Sequence, residues 1–482
     1  MSLTGVAHAT RHTLVAHSTA TAHAGRASAL SRMLGRRPPG TRFLAASRPA
    51  GSASLETMLR ILTPHDPDYE TRLLALVGRG ASLPKDIETR VAEIVARVRR
   101  EGDRALREFT ERFEHRQLAA IELQRPDWLE QAGKTSVPVR RALANAAARI
   151  RSYHQLEKPS AYQLNEPGVR LRCRVTPLER VGLYIPGGTA CLASTVLMTA
   201  IPAKVAGVRE IIMTTPGPSP ETLAAALEAG VDRVFLLGGA QAIAALAYGT
   251  ETVPRVDKIA GPGNAYVAAA KRLVYGDVGI DMIAGPTEVV IAADASAKPS
   301  WVASDLLAQA EHDVLAVPIL VAVGRAVAEA VAAEVDRQLA TLPRREIASK
   351  AVDNQGVAFV VEDAAAAIAL VNRLAPEHAG LALANAAALA DQVTAAGAVF
   401  VGEHACEAVG DYFAGPSHVL PTGGSARYAS PLGVADFAKR TSFIEYDADA
   451  LARQGDDIVA LAEVEGLAGH GRSVSIRTGR GR

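Results

Sequence analysis

The sequence predicts an α/β protein with mainly parallel sheets. Three observations carry that expectation. Short apolar, β-rich runs recur along the chain: "VGLYIPGG", "EIIMTT", "RVFLLGG", "EVVIAAD", "VPILVAV", "VAFVV" and, last, "AVFVG". Ala-rich helical runs lie between most of them. Several strand candidates end in glycines that lead into a helix, as in "LLGGAQAIAALAYGT". Strands alternating with helices is the pattern of βαβ units. With 482 residues the chain can bury two or more cores.

Taken in order, Met1 to about Ser54 stands apart. It holds seven arginines, four of the twelve histidines, no lysine, and no acid before Glu56. Such a start is a disordered leader, sequence upstream of the true start, or an organelle transit peptide. The first two readings are preferred because the whole chain is rich in Ala and Arg. Met58 opens "MLRILTPHDPDYETRLLAL", which reads as a folded N-terminus and is expected to be helical over 58–82. Residues from about Leu83 to Leu156 read as charged helices. The α/β alternation follows. After Pro431 a small, mostly helical tail is expected, closing on a strand-like "RSVSIR".

Bulk composition narrows the function. Lys plus Arg is 52 against 51 acids, so charge recommends neither nucleic acid nor an anionic membrane. Aromatics are 4%, too few for a base-stacking surface. No uncharged apolar run reaches the length of a membrane span. Cys173, Cys191 and Cys406 are far apart and form no CxxC pair. A reducing, cytoplasmic setting is expected, or an organelle if the leader is a transit peptide. Any metal would take nitrogen and oxygen ligands.

The stretch Leu306 to Asp313, "LLAQAEHD", follows an N-cap signal at Ser300. Val302, Leu306, Leu307 and Ala310 form one helical stripe, and Gln309 and His312 fall on it. A buried amide or imidazole needs a partner. Either these are core polar groups bonded to backbone, or they belong to a site. Glycine pairs before helices, Gly238–Gly239 and Gly261/Gly263, could offer amides to an anion or be ordinary turns. No GxGxxG occurs. Acids and histidines recur together: Glu377 with His378 in a loop or helix start, Asp411 with His418 in a Gly/Pro-rich loop, Glu465 with His470 near the end. An adjacent acid and imidazole can divide proton transfer. His65, His115, His154 and His404 read as surface residues. Periodicity supports a metal or acid–base site and no particular reaction.

At these residues the chain strongly resembles the histidinol dehydrogenase family, from about Met58 to Arg477. The most specific block is Ile280–His312, "IDMIAGPTEVVIAADASAKPSWVASDLLAQAEH"; "TVLMTAIPAKVAGV", "GPGNAYV", "GDYFAGPSHVLPT" and "SPLGVADF" match in family order. The resemblance implies oxidation of L-histidinol to L-histidine through a bound aldehyde, with two NAD, one zinc per site, and a homodimer with shared active sites. It implies Gln309, His312, Asp411 and His470 as metal ligands, and Glu377 and His378 as the acid–base pair. Substrate contacts would come from Thr287, Gln309, His312, Glu377, Asp411, His418, Glu465 and His470. NAD contacts would come from Tyr184, Gln241 and Asn264. Thr287 stands where serine is usual, and Ser417 replaces a common asparagine.

The implied organisation is a leader over 1–57 and an N-terminal helical element over 58–82. A first Rossmann-like domain would take 83–183 and 288–431, a second 184–287, and an arm exchanged with a partner subunit 432–482. Rival functions are a paralogue acting on another small primary alcohol, a zinc hydrolase with Glu377 as base, and a non-catalytic relative. Glu465 and His418 suit a cationic, imidazole-bearing amino alcohol. A hydrolase would leave the glycine loops and Asn264 idle. The intact pair Glu377 and His378 argues against the third.

Overall fold

The computed structural model describes residues 57–80, 84–187 and 192–480. The expected leader, Thr57 apart, and Cys191 lie outside the described residues.

Two six-stranded sheets organise the chain. In the first the order is Arg60–Leu62, Val357–Val361, Val317–Val323, Glu288–Ala293, His378–Ala382, Ala398–Val401, all parallel. Its central strands read as unbroken apolar runs because both faces are covered. Helices Pro299–Ala310, Arg325–Leu339 and Arg345–Gln355 bury one face. Helices Tyr69–Val77 and Ala364–Leu374 bury the other. From Glu288–Ala293 the chain winds outward to Val317 and Val357, then returns to His378 on the opposite flank. The winding therefore reverses between Glu288–Ala293 and His378–Ala382.

The second sheet has the order Glu122–Leu123, Arg233–Phe235, Glu210–Thr214, Arg180–Tyr184, Lys258–Ala260, Gly279–Ile280. Only its first pair is antiparallel. Here the reversal falls between Arg180–Tyr184 and Lys258–Ala260. A third, antiparallel sheet joins Tyr162–Glu166, Val169–Pro177 and Ala438–Tyr446.

All seven strands read from the sequence are present. Several expectations need correction. The N-terminal element is not all helical: Arg60–Leu62 is an edge strand of the first sheet. His378 opens a central strand rather than a loop or helix; "HAGLA" is too rich in Ala and Gly to signal one. After a short helical turn at Val434–Phe437 the tail runs as the nine-residue strand Ala438–Tyr446, and "RSVSIR" lies in helix Ala468–Arg477. That helix packs on Ala448–Val464, where Gly455 lets Val474 and Thr478 approach closely. Tertiary contact overrides the β-like pattern there. The expected grouping put 83–183 with the first sheet, yet its helices pack on the second. Lys85–Glu101 lies against Gly239–Tyr248 and Ala265–Val274, and Val137–Leu156 against Ala193–Ala206. Charged helices carry no sign of which sheet they will cover. His154 is fully buried rather than exposed, with Nδ1 2.7 Å from Glu157 Oε2. His65, His115 and His404 are exposed as expected.

Candidate active site

The strands Glu288–Ala293 and His378–Ala382 are neighbours, with Val289 opposite His378. Their amino ends set side by side the residues that could do chemistry. Glu377, buried, accepts hydrogen bonds on Oε2 from Thr287 Oγ1 at 2.7 Å and from Glu288 N–H at 3.0 Å. His378, also buried, has Nδ1 3.1 Å from the Glu288 carbonyl oxygen. A carbonyl can only accept, so Nδ1 carries the proton. Nε2 is left with its lone pair, 3.9 Å from Asp411 Oδ1.

Electrostatics follow from burial. Desolvation pushes the Glu377 carboxyl up to about 8, against the pull of the Thr287 and Glu288 hydrogen bonds. Burial likewise holds the His378 imidazole below its ordinary value, opposed by Asp411. His378 is therefore a neutral base near pH 7. Behind the pair, Arg79 neutralises Glu288: its Nε lies 2.8 Å from Glu288 Oε1, and its guanidinium also reaches the Leu374 carbonyl at 3.0 Å.

Helix Pro299–Ala310 supplies Gln309, fully buried as expected. One end of its amide meets Thr287 Oγ1 and the other the Glu407 carboxyl. His312 does not share that burial. The helix has ended, His312 sits in the turn beyond, and it is exposed in the single chain. Helix Glu407–Tyr412 brings Glu407 and Asp411 one turn apart. Ligand atoms of His312, Glu407 and Asp411 all lie within 4.8 Å of one another. With the Gln309 amide alongside Glu407, this nitrogen and oxygen set fits a divalent transition ion such as zinc.

His418 joins the group from its loop. Its Nδ1 lies 2.9 Å from the Asp411 carbonyl oxygen, and its Nε2 lies 3.2 Å from Thr195 Oγ1. Ser417 Oγ donates to Met198 O at 3.1 Å. The loop thus ties the first sheet's site to helix Ala193–Ala206. The structure brings together Thr287, Gln309, His312, Glu377, His378, Asp411 and His418. It does not bring in Glu465 or His470. Both are exposed on the arm, with no hydrogen bond or ion pair to the cluster among the described residues.

The second group lies at the carboxyl ends of the second sheet, where its winding reverses. Crevices of that kind are where α/β sheets bind ligands. Tyr184, buried, accepts on its hydroxyl from Gly239 N–H at 3.1 Å. Gln241 Nε2 and Gly238 N–H both approach Glu114 Oε1, at 3.4 and 3.2 Å. Asn264 is exposed and caps helix Ala265–Val274, accepting from Tyr266 and Val267 N–H at 3.1 and 3.2 Å. The first site departs from the same rule, since it uses the amino ends of its strands.

Sequence reasoning missed Glu407, Glu288, Arg79, Thr195 and Glu114. Only Glu407 carried a signal: it stands four residues before Asp411, one helical turn away. The others act through tertiary contacts that no local pattern reports.

A buried carboxyl beside a buried imidazole at one sheet, with glycine turns at the switch point of another, is the make-up of an α/β enzyme. The family model "Histidinol dehydrogenase" matches residues 78–478. The chain is 51% identical to the histidinol dehydrogenase of Syntrophotalea carbinolica over 427 residues, covering 87% of this chain and 99% of the relative. Identity to that of Geobacter sulfurreducens is 48%, covering 87% and 100%. The crystal structure of histidinol dehydrogenase from Elizabethkingia anophelis superposes with a TM-score of 0.82 at 35% identity, covering 88% and 98%. The chain belongs to the histidinol dehydrogenase family. The described residues contain no helix long and apolar enough to cross a membrane.

Proposed function

We propose that the chain oxidises L-histidinol to L-histidine through a bound aldehyde, reducing two NAD, in a cytoplasmic setting. The observation that carries this is the double hold of Glu288 backbone on Glu377 and His378. It orients two proton-transfer groups toward one space and fixes the tautomer of one.

In the first oxidation His378 Nε2 takes the hydroxyl proton as hydride leaves the carbinol carbon. In the second, Glu377 acts in its carboxylate form, the minor form near pH 7 and the major one above about 8; it takes a proton from water as it adds to the aldehyde, and a second hydride leaves the hydrated carbon. Gln309, His312 and Asp411 would hold zinc, with His470 from a second copy. The ion would anchor substrate imidazole and amine, which is positioning. Glu407, with a ligand atom within 4.8 Å of those of His312 and Asp411, is an addition to the expected set. Tyr184, Gln241 and Asn264 would contact NAD, a reading supported by their place at the sheet's switch point.

Sharing of sites between two copies is supported by the arm. Leu461, Val464, Leu467 and Ile476 are large, apolar and exposed there, with Glu465 and His470 among them. Such a surface on a small helical pair is the kind that a second copy covers.

A panel of small alcohols with NAD, read as NADH absorbance, tests the activity. L-Histidinol should give the highest kcat/KM. A better rate with an alcohol lacking the imidazole would favour the paralogue reading. No NADH with any alcohol would contradict an oxidoreductase.

A further inference from the structure

The turn "GPGN" joins strand Lys258–Ala260 to helix Ala265–Val274. It is gripped from behind by a buried ion pair. Lys271 Nζ meets Asp281 Oδ1, and the two side chains are 2% and 1% exposed. Lys271 Nζ also donates to the Gly261 carbonyl at 3.0 Å. Asp281 Oδ2 accepts from Gly261 N–H at 2.7 Å, and Oδ1 from Met282 N–H at 2.6 Å. Both polar groups of one glycine are therefore taken by the two halves of one ion pair.

Gly261 is where this grip matters. Its φ is 118°, and a Cβ there would stand 2.1 Å from the Tyr184 carbonyl oxygen. The turn is thus pressed onto the end of the strand that carries Tyr184. Three residues on, Asn264 starts the helix. A buried ion pair is costly to desolvate, and apolar packing could hold these elements together at lower cost. Packing cannot fix the rotation of the two peptide units that flank Gly261 as a hydrogen bond to each of them can. Lys271 comes from the helix and Asp281 from beyond strand Gly279–Ile280, so the turn's placement depends on both.

We propose that Lys271 and Asp281 are a positioning pair for the dinucleotide: they hold the Gly261–Asn264 turn against Tyr184 and so set affinity for NAD. This rests on the reading of Tyr184 and Asn264 as NAD contacts. Neither residue has a hydrogen bond or ion pair with Glu377, His378, Gln309 or Asp411 among the described residues.

The test uses the full chain with Lys271→Met, Asp281→Asn, Lys271→Arg and, in parallel, Asn264→Ala. NADH binding is titrated by fluorescence without histidinol, and KM is measured for each substrate. Lys271→Met and Asp281→Asn should weaken NADH binding and raise KM for NAD about tenfold, with KM for L-histidinol within about twofold. Lys271→Arg keeps the charge and should restore most of the affinity. A merely structural pair would lower stability without separating the two KM values. Should Lys271→Met fail to fold, Asp281→Asn and Lys271→Arg carry the measurement. Unchanged NADH binding, or equal rises in both KM values, would overturn the inference. Asn264→Ala separates the two levels. If it weakens NADH binding while the ion-pair variants do not, only the inference falls. If it has no effect, the cofactor reading falls and the inference with it.

Discussion

His378 donates its Nδ1 proton to the Glu288 carbonyl at 3.1 Å, which leaves Nε2 as the free lone pair. The same peptide region's N–H from Glu288 holds Glu377 at 3.0 Å. One residue of the neighbouring strand thus holds both members of the proposed acid–base pair. Adjacent residues on a strand point to opposite faces, so the two carboxyl and imidazole groups can share a site only because His378 is the strand's first residue.

The division of labour between them is separable. Replacing His378 with Asn should slow alcohol oxidation about 10²- to 10⁴-fold, the usual size of a lost general base. Glu377→Gln should spare the first hydride transfer and impair the second. Histidinol and histidinal given separately in single-turnover assays read each step. Equal damage to both steps by Glu377→Gln would refute the assignment.

Metal binding should depend on residues whose atoms already converge. His312→Ala and Asp411→Ala should purify with little zinc and with unchanged far-UV circular dichroism. Elemental analysis decides it, and full zinc occupancy in both would remove them from the ligand set. Their grouping within 4.8 Å together with Glu407 is the geometric basis.

Stability of the metal-stripped chain should depend on pH through Glu377. Its carboxyl is pushed up to about 8, chiefly by burial, from an ordinary value of 4.5. Between those values the folded chain holds a proton that the unfolded chain has released. The contribution is fully present below the unfolded value and is lost as pH rises through the folded one. From about pH 7 to 8.5, above the range of His378 and His418, the melting temperature should fall, and Glu377→Gln should flatten that fall. Identical slopes for the two proteins would contradict the buried, protonated carboxyl.

Sharing of the site between copies predicts complementation. His470→Ala and Glu377→Gln homodimers should each be nearly inactive. Mixed dimers should regain activity at one of two sites, which then combines intact Glu377 from one chain with intact His470 from the other. Subunit exchange followed by an NADH assay, with heterodimers verified by mass, reads it. No recovery would assign His470 to its own subunit's site.

Much of this was legible in the sequence because period and turn chemistry are local. Strand Val317–Val323 is apolar throughout and Glu288–Ala293 is apolar after its first residue, and Gln309 on a buried stripe was compatible with a polar site. Strand His378–Ala382 was hidden because alanine and glycine carry no β signal, although its neighbour Ile291 packs on Gly380. The hold of Arg79 on Glu288 spans 209 residues and has no local trace. His312 seemed buried by helical extrapolation; the helix stops at Ala310, which frees it toward the ligand cluster.

The central claim is a four-electron oxidation at one site, and stoichiometry tests it most directly. A limiting, weighed amount of L-histidinol is consumed by purified enzyme with excess NAD, and NADH and L-histidine are counted. Two NADH and one L-histidine per L-histidinol, with no aldehyde free in solution, is the result predicted. One NADH per L-histidinol with aldehyde released, or none at all, would contradict it.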